Sequence, residues 1–231
     1  QQVEAAARAG ADVAILDDAF QHRRAARIAD VVLLSADRWT GDVRLLPGGP
    51  FREPLSSLRR ASLVVVTVKA ASRERIEACV RAARASTEAA VITVDLQAGP
   101  LVPVGNAGAM AIAPGPGAPV LAVSGIGDPA AFHAQLVRSG WRPTPLSFPD
   151  HHAFDAASVQ RIVAASAGKV AVICTLKDAV KLGPQWPSSA VPLWYLSQSV
   201  VPRDGTDALD AMIQSVLAAR RNGPLPPDLT R

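Results

Sequence analysis

Between Ile15 and Arg24 the sequence reads ILDDAFQHRR: two adjacent carboxylates at Asp17 and Asp18, an amide at Gln21, an imidazole at His22, and guanidiniums at Arg23 and Arg24. Adjacent carboxylates suit a divalent cation, and guanidiniums suit a phosphate or another carboxylate, so the stretch has the materials for handling a phosphorylated ligand. A turn or helix-capping Asp is the commoner use of this spacing. A turn alone does not need the amide, the imidazole and the cations as well. A second concentration lies in FPDHHAFD (148–155), where Asp150 precedes His151 and His152. A carboxylate beside an imidazole fits proton transfer, and a capped helix start with Asp150 as the cap accounts for the same letters.

Weaker candidates follow. GIGDP (125–129) opens a helix after a strand, an arrangement that gathers backbone N–H groups around an anion and is also common without one. In TLKDAVKL (175–182), Lys177 and Asp178 sit at a strand's end, and Lys181 reads as part of a solvated helix start. His133 falls inside an amphipathic helical pattern and reads as a surface or boundary residue.

The elements that must position these groups are legible as apolar runs. ADVAILDD (11–18), ADVVLLSA (29–36), ASLVVVTV (61–68), VLAVSGI (120–126) and VAVICTL (170–176) are continuous rather than alternating, as strands of a parallel sheet covered on both faces are. On this reading Asp17 and Asp18 stand at the C-terminal end of a buried strand, the edge where open α/β sheets bind ligands and where P-loop NTPases keep a magnesium carboxylate. SRERIEACVRAARAS (72–86), DPAAFHAQLVRSG (128–140), DAASVQRIVAASAG (155–168) and DGTDALDAMIQSVLAARRN (204–222) read as helices. The stretch DRWTGDVRLLPGGPFREPLSSLRR (37–60) is too long and too polar for a plain connection and is a candidate functional loop.

At 231 residues and 49% hydrophobic content the chain buries one or two cores. A net charge of +4 suits an anionic substrate and is too small to argue for nucleic acid. Cys79 and Cys174 lie in apolar settings without neighbouring Cys or His at ligand spacing, so both read as buried thiols outside any disulfide or zinc site. No run is long and apolar enough to span a membrane.

Taken in order, LDDAFQHRR, LLPGGPFREPLSSLRRA (45–61), GIGDP, FPDHHAFD and TLKDAVKL resemble the five signatures of the tetraacyldisaccharide 4'-kinase family, the lipid A 4'-kinases of Gram-negative bacteria. The resemblance implies an α/β fold: the C-terminal part of a P-loop, RecA-like parallel-sheet domain over 1–88, a linker strand and crossing over 89–118, a smaller α/β/α lid domain over 119–190, and a return strand with a C-terminal helix over 191–231. It implies ATP and Mg²⁺ as cofactors and a tetraacyl disaccharide 1-phosphate as acceptor, phosphorylated at the 4' position at the cytoplasmic face of the inner membrane. Asp17 and Asp18 would serve Mg²⁺ and ATP, with Asp18 and Gln21 in catalysis. His22, Arg52 and Glu53 would face the acceptor, Arg52 through its 1-phosphate. The Asp150 and His151 pair would assist the proton transfer, His151 being chosen over His152 because the family's recurring pair is Asp-His.

Ala19 replaces a glycine usual in the family, and would be strained if that position needs a positive φ. Leu176 replaces a usual glutamate, and Gly49 stands where alanine is common. No G-x-x-x-x-G-K-[ST] occurs among the 231 residues, and the chain opens on Gln1 inside a helix-like stretch. The expectation is therefore a chain cut from a longer parent, without the phosphate-cradling loop, the family's membrane-associating segment or its aspartate base, and inactive alone. A non-catalytic anion- or lipid-binding module, or another P-loop-type small-molecule kinase, are the alternatives. FREPLSSLRR and DHHAFD together argue against the latter.

Overall fold

The computed structural model describes residues 5–6, 8–24, 27–49, 51–105 and 112–221. Residues 106–111 of the linker and crossing expected over 89–118, and the tail from 222, lie outside the described residues. The chain divides into two compact units, Gln1–Leu96 with Val200–Arg231, and Gln97–Ser199.

In the first unit, β1 (Val31–Ser35), β2 (Leu63–Val68) and the opening of β3 (Ala90–Pro103) run parallel, with Val31 opposite Leu63 and Leu63 opposite Ala90. Successive residues of a strand face opposite sides, so β2 supplies two cores at once. Val64, Val66 and Val68 pack with Leu34, Trp39, Leu58, Cys79 and Ala83, under helix α1 (Arg73–Arg84). Leu63 and Val65 pack with Ile92 and Val94, against Leu209 and Met212. That double burial is why the run VVV carries no polar alternation. Ser72 caps α1 by accepting from the Arg75 N–H.

The second unit repeats the plan. Strands β4 (Pro119–Ser124), β5 (Arg142–Ser147), β6 (Ala171–Cys174) and β7 (Leu193–Pro202) are parallel, β4 lying between β5 and β6, and β6 pairing with β7. Val120 and Ala122 join Phe132 and Leu136 of α2 (Pro129–Arg138), while Leu121 and Val123 join Val159, Ile162, Ala179 and Leu182 from its two successors in the chain. Those successors are α3 (Ala156–Ala165) and α4 (Leu176–Leu182). Asp128, Asp155 and Thr175 cap the three helices through the N–H groups of Ala131, Ser158 and Asp178. The final helix, α5 (Thr206–Arg221), belongs to the first unit.

One expected strand does not form. Residues 11–18 carry no strand, and Ile15 is 93% exposed. A strand requires a neighbour to complete its backbone hydrogen bonds, and no described strand pairs with this stretch. Asp17 and Asp18 therefore sit in a turn, not at a strand's C-terminal edge.

Candidate functional site

The expected site residues fall into two sets, one on each unit. In the first unit, the turn at Asp17 and Asp18 is fixed by its own backbone and by Arg27. The His22 N–H donates to the Ala19 carbonyl at 2.9 Å, and Arg27 Nη1 donates to the carbonyls of Ala19 and His22 at 3.0 and 2.8 Å. Arg27 Nε in turn pairs with Asp30 Oδ1 at 2.7 Å, so the turn is tied to the residue that precedes β1. Positive φ falls on Asp18, at 51°, and not on Ala19, so the alanine is not forced into the left-handed region.

The 37–60 segment is ordered by its apolar residues. Trp39 meets Phe51 edge to face, and Leu58, in a short 3₁₀ helix at Leu55–Arg60, is buried beneath β2's valines. Phe51 and Leu46 are joined by a backbone hydrogen bond, and the two residues after Phe51 are Arg52 and Glu53. Arg52 Nη1 donates to Asp18 Oδ2 at 2.5 Å. Glu53 accepts from Arg60 Nη2 at 2.7 Å, and the Arg60 guanidinium lies 4.4 Å above the Phe20 ring. The two signatures are thus joined twice, by Asp18 with Arg52 and by Phe20 with Arg60. Hydrogen bonds from Ser57 and then Arg60 hold the Glu53 carboxyl below the usual range. Asp17, Gln21 and His22 are exposed beside this junction.

In the second unit, GIGDP, FPDHHAFD and TLKDAVKL each begin where a strand ends, after β4, β5 and β6 respectively. Because those strands are parallel neighbours, all three segments gather at one edge of the sheet. The cap of α3 is Asp155, which accepts from the Ser158 N–H at 2.9 Å, so Asp150 is not the capping residue. Asp150 Oδ1 instead accepts from the His151 N–H at 3.0 Å, and Asp150 Oδ2 lies 3.8 Å from His151 Nε2. The His151 side chain is 83% exposed and its φ is 59°.

His152 is placed differently. Its Nε2 meets Ser158 Oγ at 2.7 Å, and that hydroxyl donates to Asp155 Oδ1 at 2.6 Å. Its ring stacks on Phe148 at 4.7 Å and meets Phe154 edge to face at 4.9 Å. The Ser158 hydroxyl and N–H hold the Asp155 carboxyl below its ordinary range. His152 is therefore a packed residue, and His151 is the imidazole open to solvent.

GIGDP does not present a vacant helix start, since Asp128 Oδ1 takes the Ala131 N–H at 3.0 Å. Lys181 is not merely solvated: its Nζ donates to the His152 carbonyl at 2.8 Å. Asp178 is fully buried, accepting at Oδ2 from the Gly125 N–H at 3.1 Å and from Thr175 Oγ1 at 2.7 Å. Its burial had a sequence signal in Thr175-x-x-Asp178, the spacing of a helix capping box. No comparable signal marks Arg27, Arg60 or Ser158.

Among the described residues no group of three or more His, Cys, Asp and Glu is placed to hold a metal ion, and no helix is long and apolar enough to cross a membrane. Asp17 and Asp18 still offer exposed carboxylate oxygens of the kind Mg²⁺ takes, since it commonly rests on one or two carboxylates with waters and phosphates supplying the rest. Asp18 Oδ2 is taken by Arg52 Nη1 in this structure, so a metal ion there would compete with the guanidinium.

A family model described as tetraacyldisaccharide-1-P 4'-kinase matches residues 1–218. The tetraacyldisaccharide 4'-kinase of Anaeromyxobacter sp. (strain K) is 37% identical over 220 residues, covering 91% of this chain and 57% of that protein. The protein of the same name from Alkalilimnicola ehrlichii is 33% identical over 201 residues, covering 86% of this chain and 53% of its own length. The chain thus spans little more than half the length of these relatives. A crystal structure from Aquifex aeolicus, solved in complex with ATP, shares the fold with a TM-score of 0.60 at 24% identity, over 87% of this chain and 56% of that one.

Proposed function

The chain belongs to the tetraacyldisaccharide-1-P 4'-kinase family, and on that premise we propose that it is part of an enzyme transferring the γ-phosphate of ATP to the 4'-hydroxyl of a tetraacyl disaccharide 1-phosphate. The observation that carries this reading in the chain itself is the contact of Arg52 with Asp18. It unites the carboxylate pair with the guanidinium of a separate signature, so one face of the first unit offers a cation site beside an anion site.

Asp17 and Asp18 are the residues that would hold Mg²⁺, and that ion, when bound, neutralises charge on the nucleotide phosphates. Arg52 is assigned to the acceptor's 1-phosphate, for which a planar guanidinium provides paired donors. Side-chain exposures of 56% for Arg52 and 61% for Asp18 support this, because an exposed pair is held weakly and each partner can be released to a ligand. Gln21 and His22 flank the pair, and Glu53 keeps Arg60 over Phe20. In the second unit, read as the lid, Asp150 and His151 are assigned to proton handling. His151 is the solvent-open imidazole with a carboxylate at its Nε2, which supports it over His152. A tetraacylated acceptor puts the work at a membrane surface, and the cytoplasmic face of the inner membrane is the proposed place.

The 231 residues contain no G-x-x-x-x-G-K-[ST], so the test reads binding rather than turnover. Calorimetry would compare micellar tetraacyl disaccharide with and without its 1-phosphate, against the chain and its Arg52→Ala variant. The phosphorylated acceptor should bind more tightly, and Arg52→Ala should weaken it by roughly tenfold, the scale of a hydrogen bond to a charged group. Equal binding of the two acceptors, or an unchanged affinity in Arg52→Ala, rejects the assignment.

A further inference from the structure

Gly125 is the junction of the second unit's three signature segments. Its N–H donates to Asp178 Oδ2 at 3.1 Å, and its carbonyl accepts from the His151 N–H at 3.2 Å. There is no slack at this point. A Cβ added to Gly125 would stand 3.2 Å from Asp178 Oδ1 and 3.2 Å from the Phe154 ring.

On its far side the loop holds an unfavourable backbone. His151 and Phe154 have φ of 59° and 54°, which non-glycine residues keep only where surrounding contacts impose it. Phe154 is buried, and its carbonyl accepts from Gln185 Nε2, while Lys181 Nζ holds the His152 carbonyl. Asp178, Lys181 and Gln185 are spaced three and four residues apart, so α4 and the turn that follows it present them along one side. Three polar groups from α4 and the 3₁₀ turn after it therefore hold the segment 151–154, Asp178 through Gly125 and the other two directly.

Asp178 is the member of this set whose chemistry is least explained by folding. The carboxylate is fully buried, and its Oδ1 meets no hydrogen-bond partner among the described residues. Thr175 would cap α4 without it. A neutral or apolar side chain at this place would be the less costly way to fill the core.

We propose that Asp178 is a positioning residue for His151, fixing the Gly125 backbone on which the Asp150 and His151 turn is set. The inference rests on the proposed function only in taking His151 as the working imidazole; the linkage itself is a matter of geometry. It makes the Lys-Asp step of TLKDAVKL part of the site at one remove, through the loop that the aspartate holds.

The experiment is ¹H–¹⁵N and ¹H–¹³C NMR of the 231-residue chain, reading the Gly125 and His151 amides and the His151 ring. Asp178→Ala should cost both amides roughly tenfold or more of their exchange protection and move the His151 ring signal. Asp178→Asn, whose carbonyl oxygen still accepts from Gly125, should restore most of both. Leu136→Ala removes a fully buried side chain from α2, in the core on the sheet's other face, and should leave the His151 signals in place. Should Asp178→Ala not fold, Thr175→Val decides, since it removes one donor to Asp178 and should shift the same amides in the same direction. Unmoved His151 signals in the folded Asp178→Ala or in Thr175→Val, or equal movement in Leu136→Ala, would overturn the proposal. Adding the phosphorylated acceptor to the wild-type sample tests the kinase reading separately, so either result stands without the other.

Discussion

Arg52 Nη1 lies 2.5 Å from Asp18 Oδ2 across 34 positions of sequence, joining the two signatures of the first unit by a solvent-exposed ion pair. The pair occupies both the carboxylate assigned to the metal and the cation assigned to the acceptor's phosphate. In the resting chain each therefore screens the other.

Removing the guanidinium with Arg52→Ala frees Asp18, so Mn²⁺ should broaden the amide signals of Asp17 and Asp18 at lower concentration than in the wild type. An exposed pair contributes about 0.2–1 kcal/mol, so the gain should stay below about fivefold. Unchanged or weaker broadening would mean that Arg52 does not compete for the site.

The segment returning from β7 is held to the start of β3. Arg203 forms a two-pronged pair with Asp95 at 2.7 and 2.6 Å, Asp204 Oδ1 accepts from the Thr93 N–H, and Gly205 has a φ of 70° against Ile92. Gly205→Ala meets a disfavoured φ and a filled space together. It should destabilise the first unit by about 2–4 kcal/mol, measured by urea unfolding followed at α5.

Acid should loosen the same unit. The Arg203 guanidinium holds the Asp95 carboxyl below its ordinary range, as Ser57 and Arg60 do for Glu53. A carboxylate whose folded value is depressed contributes stability above its unfolded value and loses it as pH falls through the folded one. The urea midpoint should drop as pH falls from about 5, and the drop should be shallower in Asp95→Asn. Parallel pH profiles for the variant and the wild type would count against the pairing.

The cysteines should be inert until the chain unfolds. Burial pushes the Cys79 thiol up to about 11, and burial with Asp178 nearby raises Cys174 well above its usual value. At pH 7 the Cys79 thiolate fraction is about one in ten thousand, and both side chains are closed to solvent. A thiol-specific disulfide reagent should label neither in native buffer and both in urea. Rapid labelling of the folded chain would contradict the packing.

Much of this was legible in letters. Continuous apolar runs announced parallel strands, since strands buried on both faces read that way, and β2 and β4 each feed two cores. ADVAILDD has the same texture and forms no strand, because strand formation depends on a neighbour and not on composition. The 37–60 segment read as a loop by its length and polarity, yet Trp39, Phe51 and Leu58 fasten it to the core.

The sequence by itself determined the family, the parallel α/β plan and the chemistry on offer: which segments end in carboxylates, imidazoles and guanidiniums, and that GIGDP and TLKDAVKL follow strands. Only the tertiary structure decided which partner each group took. It put the positive φ on Asp18 rather than Ala19, gave the capping of α3 to Asp155, packed His152 and left His151 open, and buried Asp178 under Gly125. The division is physical. Burial pattern and helix capping are written over a few neighbouring residues, whereas a hydrogen bond between residues 34 or 53 positions apart depends on register and packing that no local pattern encodes.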